Sequence, residues 1–296
     1  MAAARAHLAT RLKKCSQPQS SNARRIPLPP DNCHRIDFEP SGLGHAGEVS
    51  GFHVPLRSSS FGQAIKQPLR SLLARFGLEI STLQSGPAQF FAALLQQLRP
   101  DLLVDVGANQ GQYAMRMRAL GYAGRMVSFE PGVKAYRLLE RNAARDPLWT
   151  VRQVALGAEE GMASLLVSRN LVSSSTLAVG AIHLAADRDS AADHTEEVAC
   201  APLDHLLAAD PAGRLWLKID VQGSEDQVLA GATAMLSRVQ AVQCELSVEQ
   251  LYAGQAGYLA VLATLQNSGF HLVEIIPGFR DPANGRLLQF DGIFIR

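Results

Sequence analysis

Four carboxylates stand where apolar runs of the sequence end. Asp105 follows Leu102-Leu-Val104, Glu130 follows Met126-Val-Ser-Phe129, Asp220 follows Leu215-Trp-Leu-Lys-Ile219, and Glu245 lies near the end of Val239 to Leu246. A carboxylate accepts hydrogen bonds at two oxygens, so it can grip a vicinal diol or an ammonium, and a suitably tuned one can take a proton from a hydroxyl. Lys218 sits two residues before Asp220. Residues two apart on a strand project to the same side, and a lysine in so apolar a run needs a carboxylate partner to be tolerated. The other reading of that pair is structural, a brace across the sheet.

Apolar runs without polar alternation read as strands buried on both faces, the pattern of a parallel sheet. Open sheets of this kind bind ligands in the crevice outside the carboxyl ends of their strands, where these acids would lie. In Leu102-Leu-Val-Asp-Val-Gly-Ala-Asn-Gln-Gly111 the two glycines are four residues apart. Gly107 permits a sharp turn off the strand, and Gly111 would let the next helix approach a bound molecule closely, because neither has a Cβ to accommodate. The dinucleotide fingerprint Gly-x-Gly-x-x-Gly is absent, with Asn109 in place of its second glycine, so a ligand without a pyrophosphate fits better. Glu130, ending a second strand before Pro131, would accept both hydroxyls of a ribose, and the small and apolar residues Ala155 to Gly157 after a third strand would suit an adenine ring.

The elements between these points follow from periodicity and punctuation. Helical spacing is present over Ile65 to Phe76, interrupted by Pro68, and over Phe90 to Leu98, and these segments would pack ahead of the first strand and could form part of a lid. Further helices are expected from Tyr113 to Leu120, with Gly121 as a left-handed cap, from Lys134 to Ala144, over 202–207, from Ser224 with a break near Gly231, and from Tyr258 to Asn267. Ser224 should cap the fourth of these, with Glu225 and Asp226 in its first turn. Strands are expected at 124–129, 149–154, 162–167 and 196–200, and a closing antiparallel pair at 270–276 and 292–295. Between 162–167 and 196–200 the hydroxyl-rich loop Ser173-Ser-Ser-Thr-Leu177, which includes Ser174, reads as a cofactor contact, a mobile flap or a plain linker.

The chain has 296 residues, 47% hydrophobic and 19% charged, enough for one sizeable core with additions. The domain reading is an irregular leader over 1–60 rich in Ser, Pro and Gly, a helical segment over 61–99, and the main α/β domain over 100–296. Six basic residues (Arg5, Arg11, Lys13, Lys14, Arg24, Arg25) and no acid occupy the first thirty positions, so the remainder, with 22 basic and 27 acidic residues, carries net negative charge. That argues against nucleic acid as the main partner. Cys15, Cys33, Cys200 and Cys244 show neither zinc-ligand spacing nor a disulfide framework, which fits a reducing, cytoplasmic setting. No apolar run reaches the ~20 residues that span a bilayer. Asp220 and Glu245 are hard oxygen ligands of the kind magnesium accepts, but no His/Asp spacing demands a metal. His183, His194 and His205 read as loop or surface residues.

Together, Asp105-Val-Gly-Ala-Asn-Gln-Gly111, Phe129-Glu-Pro131, Ser173 to Leu177, Lys218-Ile-Asp-Val-Gln-Gly-Ser-Glu225, Cys244-Glu-Leu246 and Asp291-Gly-Ile-Phe294 resemble the FkbM family of methyltransferases over about residues 100 to 296. The resemblance implies a Rossmann-like class I methyltransferase domain: an α/β fold whose mostly parallel seven-stranded sheet has an antiparallel last strand and helices on both faces, here with an N-terminal extension. It implies transfer of a methyl group from S-adenosyl-L-methionine, usually to a hydroxyl of a sugar or polyketide-type small molecule. Carried onto this chain, Asp105, Gly107, Asn109 and Gly111 would hold the methionine end of the cofactor, Glu130 the ribose, and Val154 and Ala155 the adenine, with Ser174 a further contact. Asp220 would orient the cofactor or act as base, Glu245 would bind or deprotonate the acceptor, and Lys218 would fix Asp220. The family often has Glu where this chain has Gln222, a turn residue expected to point to solvent. A non-catalytic scaffold on the same core is the alternative, and a nicotinamide oxidoreductase a third reading weakened by the missing glycine.

Overall fold

The computed structural model of the chain describes residues 87–296. The leader over 1–60 and the helical pattern over 65–76 lie outside the described residues. The first described element is helix α1 (Pro87–Leu98), followed by β1 (Leu102–Val106), α2 (Gln112–Ala119), β2 (Arg125–Phe129), α3 (Val133–Ala143) and β3 (Trp149–Arg152). A short β4 (Ala155–Leu156), β5 (Gly161–Ser168), α4 (Ala181–Ala186), β6 (Ala192–Ala201) and α5 (Leu203–Leu206) come next. The chain closes with β7 (Leu215–Ile219), α6 (Glu225–Ala230), β8 (Val239–Ser247), α7 (Tyr258–Asn267), β9 (His271–Pro277) and β10 (Gln289–Ile295).

Seven strands form one sheet in the order β3-β2-β1-β7-β8-β10-β9. The pairs among β3, β2, β1, β7 and β8 are parallel, and β10 runs antiparallel between β8 and β9. The expected third strand is shorter than 149–154: it ends at Arg152, and Ala155 and Leu156 leave the main sheet to pair with β6. The two additional strands do pair, β5 antiparallel to β6, and with β4 they form a separate three-stranded sheet.

Alternation along each buried strand divides the core in two. Leu102, Val104 and Val106 of β1, with Leu215, Leu217 and Ile219 of β7, face the layer of α5, α6 and α7 through Leu203, Val228, Leu229, Val261 and Leu265. Leu103 and Trp216 face the opposite layer, where Phe91, Leu94, Ala114, Met117, Leu139 and Ala143 come from α1, α2 and α3. Fully burying a large apolar side chain contributes about 1.5–3 kcal/mol, so both layers hold the sheet strongly. Towards the carboxyl ends of the strands the second face turns polar. Asp105, Lys218 and Gln243 lie side by side across β1, β7 and β8, and Glu245 pairs with Asp291 of β10 one step further on. The chain leaves β1 towards β2 on one side and returns to β7 on the other, so the β1/β7 junction is the point where open sheets take ligands.

Helix α1 packs against this face, Phe91 lying 6.0 Å from Trp216 between ring centroids. The expected lid is therefore not formed by Pro87–Leu98, whose apolar face is spent on the core. No described helix is long and apolar enough to cross a membrane.

Candidate active site

Turns off the ends of β1, β2, β3 and β7 surround a cavity of about 360 Å³, closed on one side by residues 171–176 and on another by Tyr113, Arg116, Gln243 and Asp291. Most of the sequence-predicted residues line it: Gly107, Asn109, Glu130, Val154, Ala155, Ser174, Lys218 and Asp220. Asp105, Gly111 and Glu245 do not.

Asp105 lies beneath the cavity floor, fully buried, 3.3 Å from Lys218 Nζ. Lys218 is 6% exposed and also lies 3.3 Å from Asp220, while Nζ donates to the carbonyl of Gly107 at 3.0 Å. Burial by itself would lower the lysine's pKa, but Asp220 and Asp105 outweigh it and hold the ammonium protonated above its ordinary range. Burial raises the Asp105 carboxyl, with Lys218 pulling the other way. The pairing expected of Lys218 and Asp220 thus exists, with Asp105 as a second partner from the neighbouring strand.

The two loop glycines are needed for packing. A Cβ on Gly107 would fall 1.8 Å from the carbonyl oxygen of Asp220, and φ there is +71°. At Gly111 the Cβ would meet the Trp149 ring at 2.6 Å and Leu139 at 2.9 Å, at φ +88°. The space beside Gly111 is filled by the protein's own indole, which corrects the expectation that this glycine makes room for a bound molecule. Gly111→Ala is expected to cost roughly 2–5 kcal/mol, from the left-handed backbone and the overpacking together. Urea unfolding checks this, and a loss under 1 kcal/mol would show that Trp149 yields freely.

At the end of β2, Glu130 is 8% exposed. Its Oε2 accepts from the backbone N–H of Asn109 and its Oε1 from that of Gly132, both at 2.8 Å. Burial pushes its pKa up to about 7 against the pull of these donors. Each oxygen keeps a lone pair beyond its backbone bond. Asn109 holds a left-handed φ of 49°, and its Nδ2 donates to the Leu171 carbonyl at 2.9 Å. Its Oδ1 is buried and has no partner among the described residues. A buried acceptor without a donor is costly, and on a cavity wall it asks for one from a ligand. Val154, Ala155, Leu156 and Leu165 form an apolar slot beside Glu130. These acceptors, a buried carboxylate beside an apolar slot and an unpaired amide oxygen, fit an adenosine carrying an amino-acid tail.

The hydroxyl loop is pinned. Ser175 Oγ donates to the Gln222 carbonyl at 2.6 Å, Thr176 and Ser224 share a hydrogen bond of 2.9 Å, and the Tyr252 hydroxyl lies 3.3 Å from the Ser173 carbonyl. These contacts tie residues 175–176 to the turn after β7, more than a plain linker requires. Ser174 lines the cavity, though its own hydroxyl is engaged by Ser168 and Leu171 inside the loop. Ser224 is drawn to Thr176 and does not cap α6. Glu225 closes the turn, accepting from the N–H groups of Val221 and Gly223.

Gln222 does not point to solvent. Its Nε2 donates to Asp220 at 2.8 Å and to Glu245 at 2.7 Å, and its Oε1 accepts from Tyr252 at 2.7 Å. Glu245 is thereby screened from the cavity, held by Gln222 and by Gln289 at 2.7 Å. Burial, with Asp220, Glu225 and Asp291 nearby, raises its carboxyl well above the ordinary range. A hydrogen-bond donor occupies the gap between Asp220 and Glu245, and among the described residues no cluster of three or more His, Cys, Asp or Glu is arranged to hold a metal ion. His183 is buried, its ring edge-to-face with Tyr252 at 5.2 Å, against the surface position expected of it. His194 is exposed, between Asp193 and Glu196.

Sequence reasoning missed Tyr113, Arg116, Gln243 and the cavity-lining role of Asp291. The available signal for the last was an acid inside an otherwise apolar closing strand. Burial and Asp220 raise the Asp291 carboxyl against the pull of Gln243 and Lys218.

A family model described as the methyltransferase FkbM domain matches residues 105–272, more than half of the chain. No curated protein matches it. Similar solved structures include TehB from Haemophilus influenzae (9% identity, TM-score 0.40, covering 71% of this chain), of which this chain spans only 63%. Precorrin-6y C5,15-methyltransferase from Geobacter metallireducens matches at 11% identity and TM-score 0.38, covering 74% of this chain and 93% of that one. Fibrillarin from Aeropyrum pernix, in complex with S-adenosyl-L-methionine, matches at 13% identity and TM-score 0.38, covering 70% and 74%. On the match over residues 105–272, the chain belongs to the FkbM family of methyltransferases.

Proposed function

We propose that the protein is an S-adenosyl-L-methionine-dependent O-methyltransferase acting on a hydroxyl of a sugar or natural-product-type small molecule. The observation that carries the reading is one continuous cavity that runs from Glu130 and its apolar slot to Asp220 and Asp291. When bound, the cofactor supplies an electrophilic methyl group on sulfur, and its transfer is an in-line displacement that asks mainly for positioning. Glu130 accepts the two ribose hydroxyls, Val154 and Ala155 line the adenine site, and Asn109 Oδ1 takes the ammonium of the methionine end. Asp105 and the two glycines act from beneath, Asp105 by holding Lys218 and the glycines by shaping the loop. Asp220, clamped by Lys218, orients the cofactor or takes the acceptor proton. The acceptor enters along Tyr113, Arg116, Gln243 and Asp291. Glu245, behind Gln222, supports Asp220 and does not meet the acceptor.

Calorimetry with S-adenosylmethionine and S-adenosylhomocysteine tests the reading: both bind at one site per chain. Absence of heat with either ligand would return the chain to the scaffold reading. Once an acceptor is in hand, Asp220→Asn is expected to lose at least ~100-fold in kcat, the scale of general acid–base catalysis, and about tenfold in cofactor affinity. Full turnover in that variant would remove Asp220 from the chemistry.

A further inference from the structure

Gln222 occupies a left-handed backbone position, φ 57°, in the turn after β7. A non-glycine residue there is strained by about 1–2 kcal/mol, so its side chain must offset the cost. That side chain turns back into the protein and engages both amide hydrogens and its carbonyl oxygen: one hydrogen to Asp220, one to Glu245, and the oxygen to the Tyr252 hydroxyl. Tyr252 is itself buried, under the His183 ring, so the amide is held from behind. Asp220 has Lys218 on Oδ2 and Gln222 on Oδ1. Its carboxylate is gripped at both oxygens before any ligand arrives.

We propose that Gln222 is a positioning residue that fixes the Asp220 carboxylate in the cavity, its neutral amide donating one hydrogen to each of Asp220 and Glu245. The inference rests on the reading that Asp220 meets the cofactor. An amide can do this at every pH because it carries two hydrogens and no charge. A carboxylic acid at the same place can donate only one hydrogen, and only while protonated. Once ionised it would lie against Asp220 and Glu245, with Glu225 and Asp291 adding negative charge around Glu245 and Lys218 as the nearby cation, and would repel the groups that Gln222 joins.

The test compares wild type, Gln222→Met and Gln222→Glu by calorimetry with S-adenosylmethionine and by thermal melting, at several values from pH 6 to pH 9. Gln222→Met is expected to bind about tenfold more weakly than wild type at every pH, the loss of one hydrogen bond to a charged group. Gln222→Glu should bind within a few-fold of wild type at pH 6 and fall behind by tenfold or more at pH 9, with its melting temperature dropping relative to wild type over the same range. A structural filler would leave Gln222→Met melting lower than wild type while binding S-adenosylmethionine as wild type does. The proposal is overturned if Gln222→Glu follows wild type across the range, or if Gln222→Met binds as wild type does. Should Gln222→Met fail to fold, the pH course of Gln222→Glu decides. If wild type binds no cofactor, the functional reading fails, and the melting curves of Gln222→Glu still decide whether the amide bridge exists.

Discussion

Lys218→Met is expected to lower folding stability by about 3–5 kcal/mol, the cost of removing one partner from a buried ion pair. Methionine fills a similar volume, so the loss is not a cavity effect. What it leaves behind is Asp105, fully buried, with Ser128 Oγ at a long 3.4 Å as its remaining hydrogen-bond donor. The carbonyl of Gly107 loses a donor at the same time. The melting temperature should fall by roughly 10 °C for a domain of this size. The pH dependence carries the sign of the effect. Lys218 in the folded protein is raised above its ordinary value by Asp220 and Asp105, so its contribution is fully present at neutral pH and is lost only in strongly alkaline solution. In the variant, Asp105 escapes its penalty only by binding a proton. The deficit relative to wild type should therefore shrink as pH falls towards 4 and widen towards neutrality. Asp105→Asn combined with Lys218→Met should recover part of the loss, because the pair is coupled. A double variant no more stable than Lys218→Met, or a deficit independent of pH, would show that the ion pair is not what holds this part of the sheet.

Glu130→Gln is expected to weaken S-adenosylmethionine binding by roughly 10- to 100-fold, the worth of a charge-assisted hydrogen-bond pair to the ribose. Gln keeps the shape but offers one acceptor where two backbone N–H groups and two hydroxyls converge. The same carboxyl makes wild-type binding sensitive to pH. With burial pushing it up to about 7, Glu130 is largely ionised at pH 8 and largely protonated at pH 6. The diol donates to the ionised form, so binding at pH 6 must first expel a proton, at a cost approaching tenfold in affinity per pH unit. The charged groups whose fields reach Glu130 are Lys218, which favours ionisation, and Asp105, which opposes it. Calorimetry at pH 6, 7 and 8 should show affinity rising with pH in wild type and a flat course in Glu130→Gln. A wild-type affinity independent of pH, or a variant that binds as tightly, would remove Glu130 from the ribose site.

What was legible in the sequence is what neighbours in the chain settle among themselves. Apolar runs such as Leu102 to Val104 and Leu215 to Leu217 have no polar side to show water, so they had to be central strands, and acids at their ends had to lie on the rim of a parallel sheet. Glycines at 107 and 111 marked a turn because their backbone signs are local. The closing antiparallel pair showed in two apolar runs joined by a Pro/Gly-rich loop, and the family motifs placed it as the reversed end of a seven-stranded sheet.

The tertiary structure decided the rest, because those facts depend on which distant residues meet. Whether Gly111 makes room for a ligand or for Trp149 is a matter of where β3 lies. Whether Gln222 faces water or joins two carboxylates depends on Glu245 of β8 and on Tyr252 thirty residues away. Glu245 and Asp291 are paired across antiparallel strands, yet Asp291 lines the cavity and Glu245 is shielded behind an amide. A carboxylate's place at a strand end can be read from residue spacing, but its freedom to meet a ligand is set by the side chains that other elements bring against it.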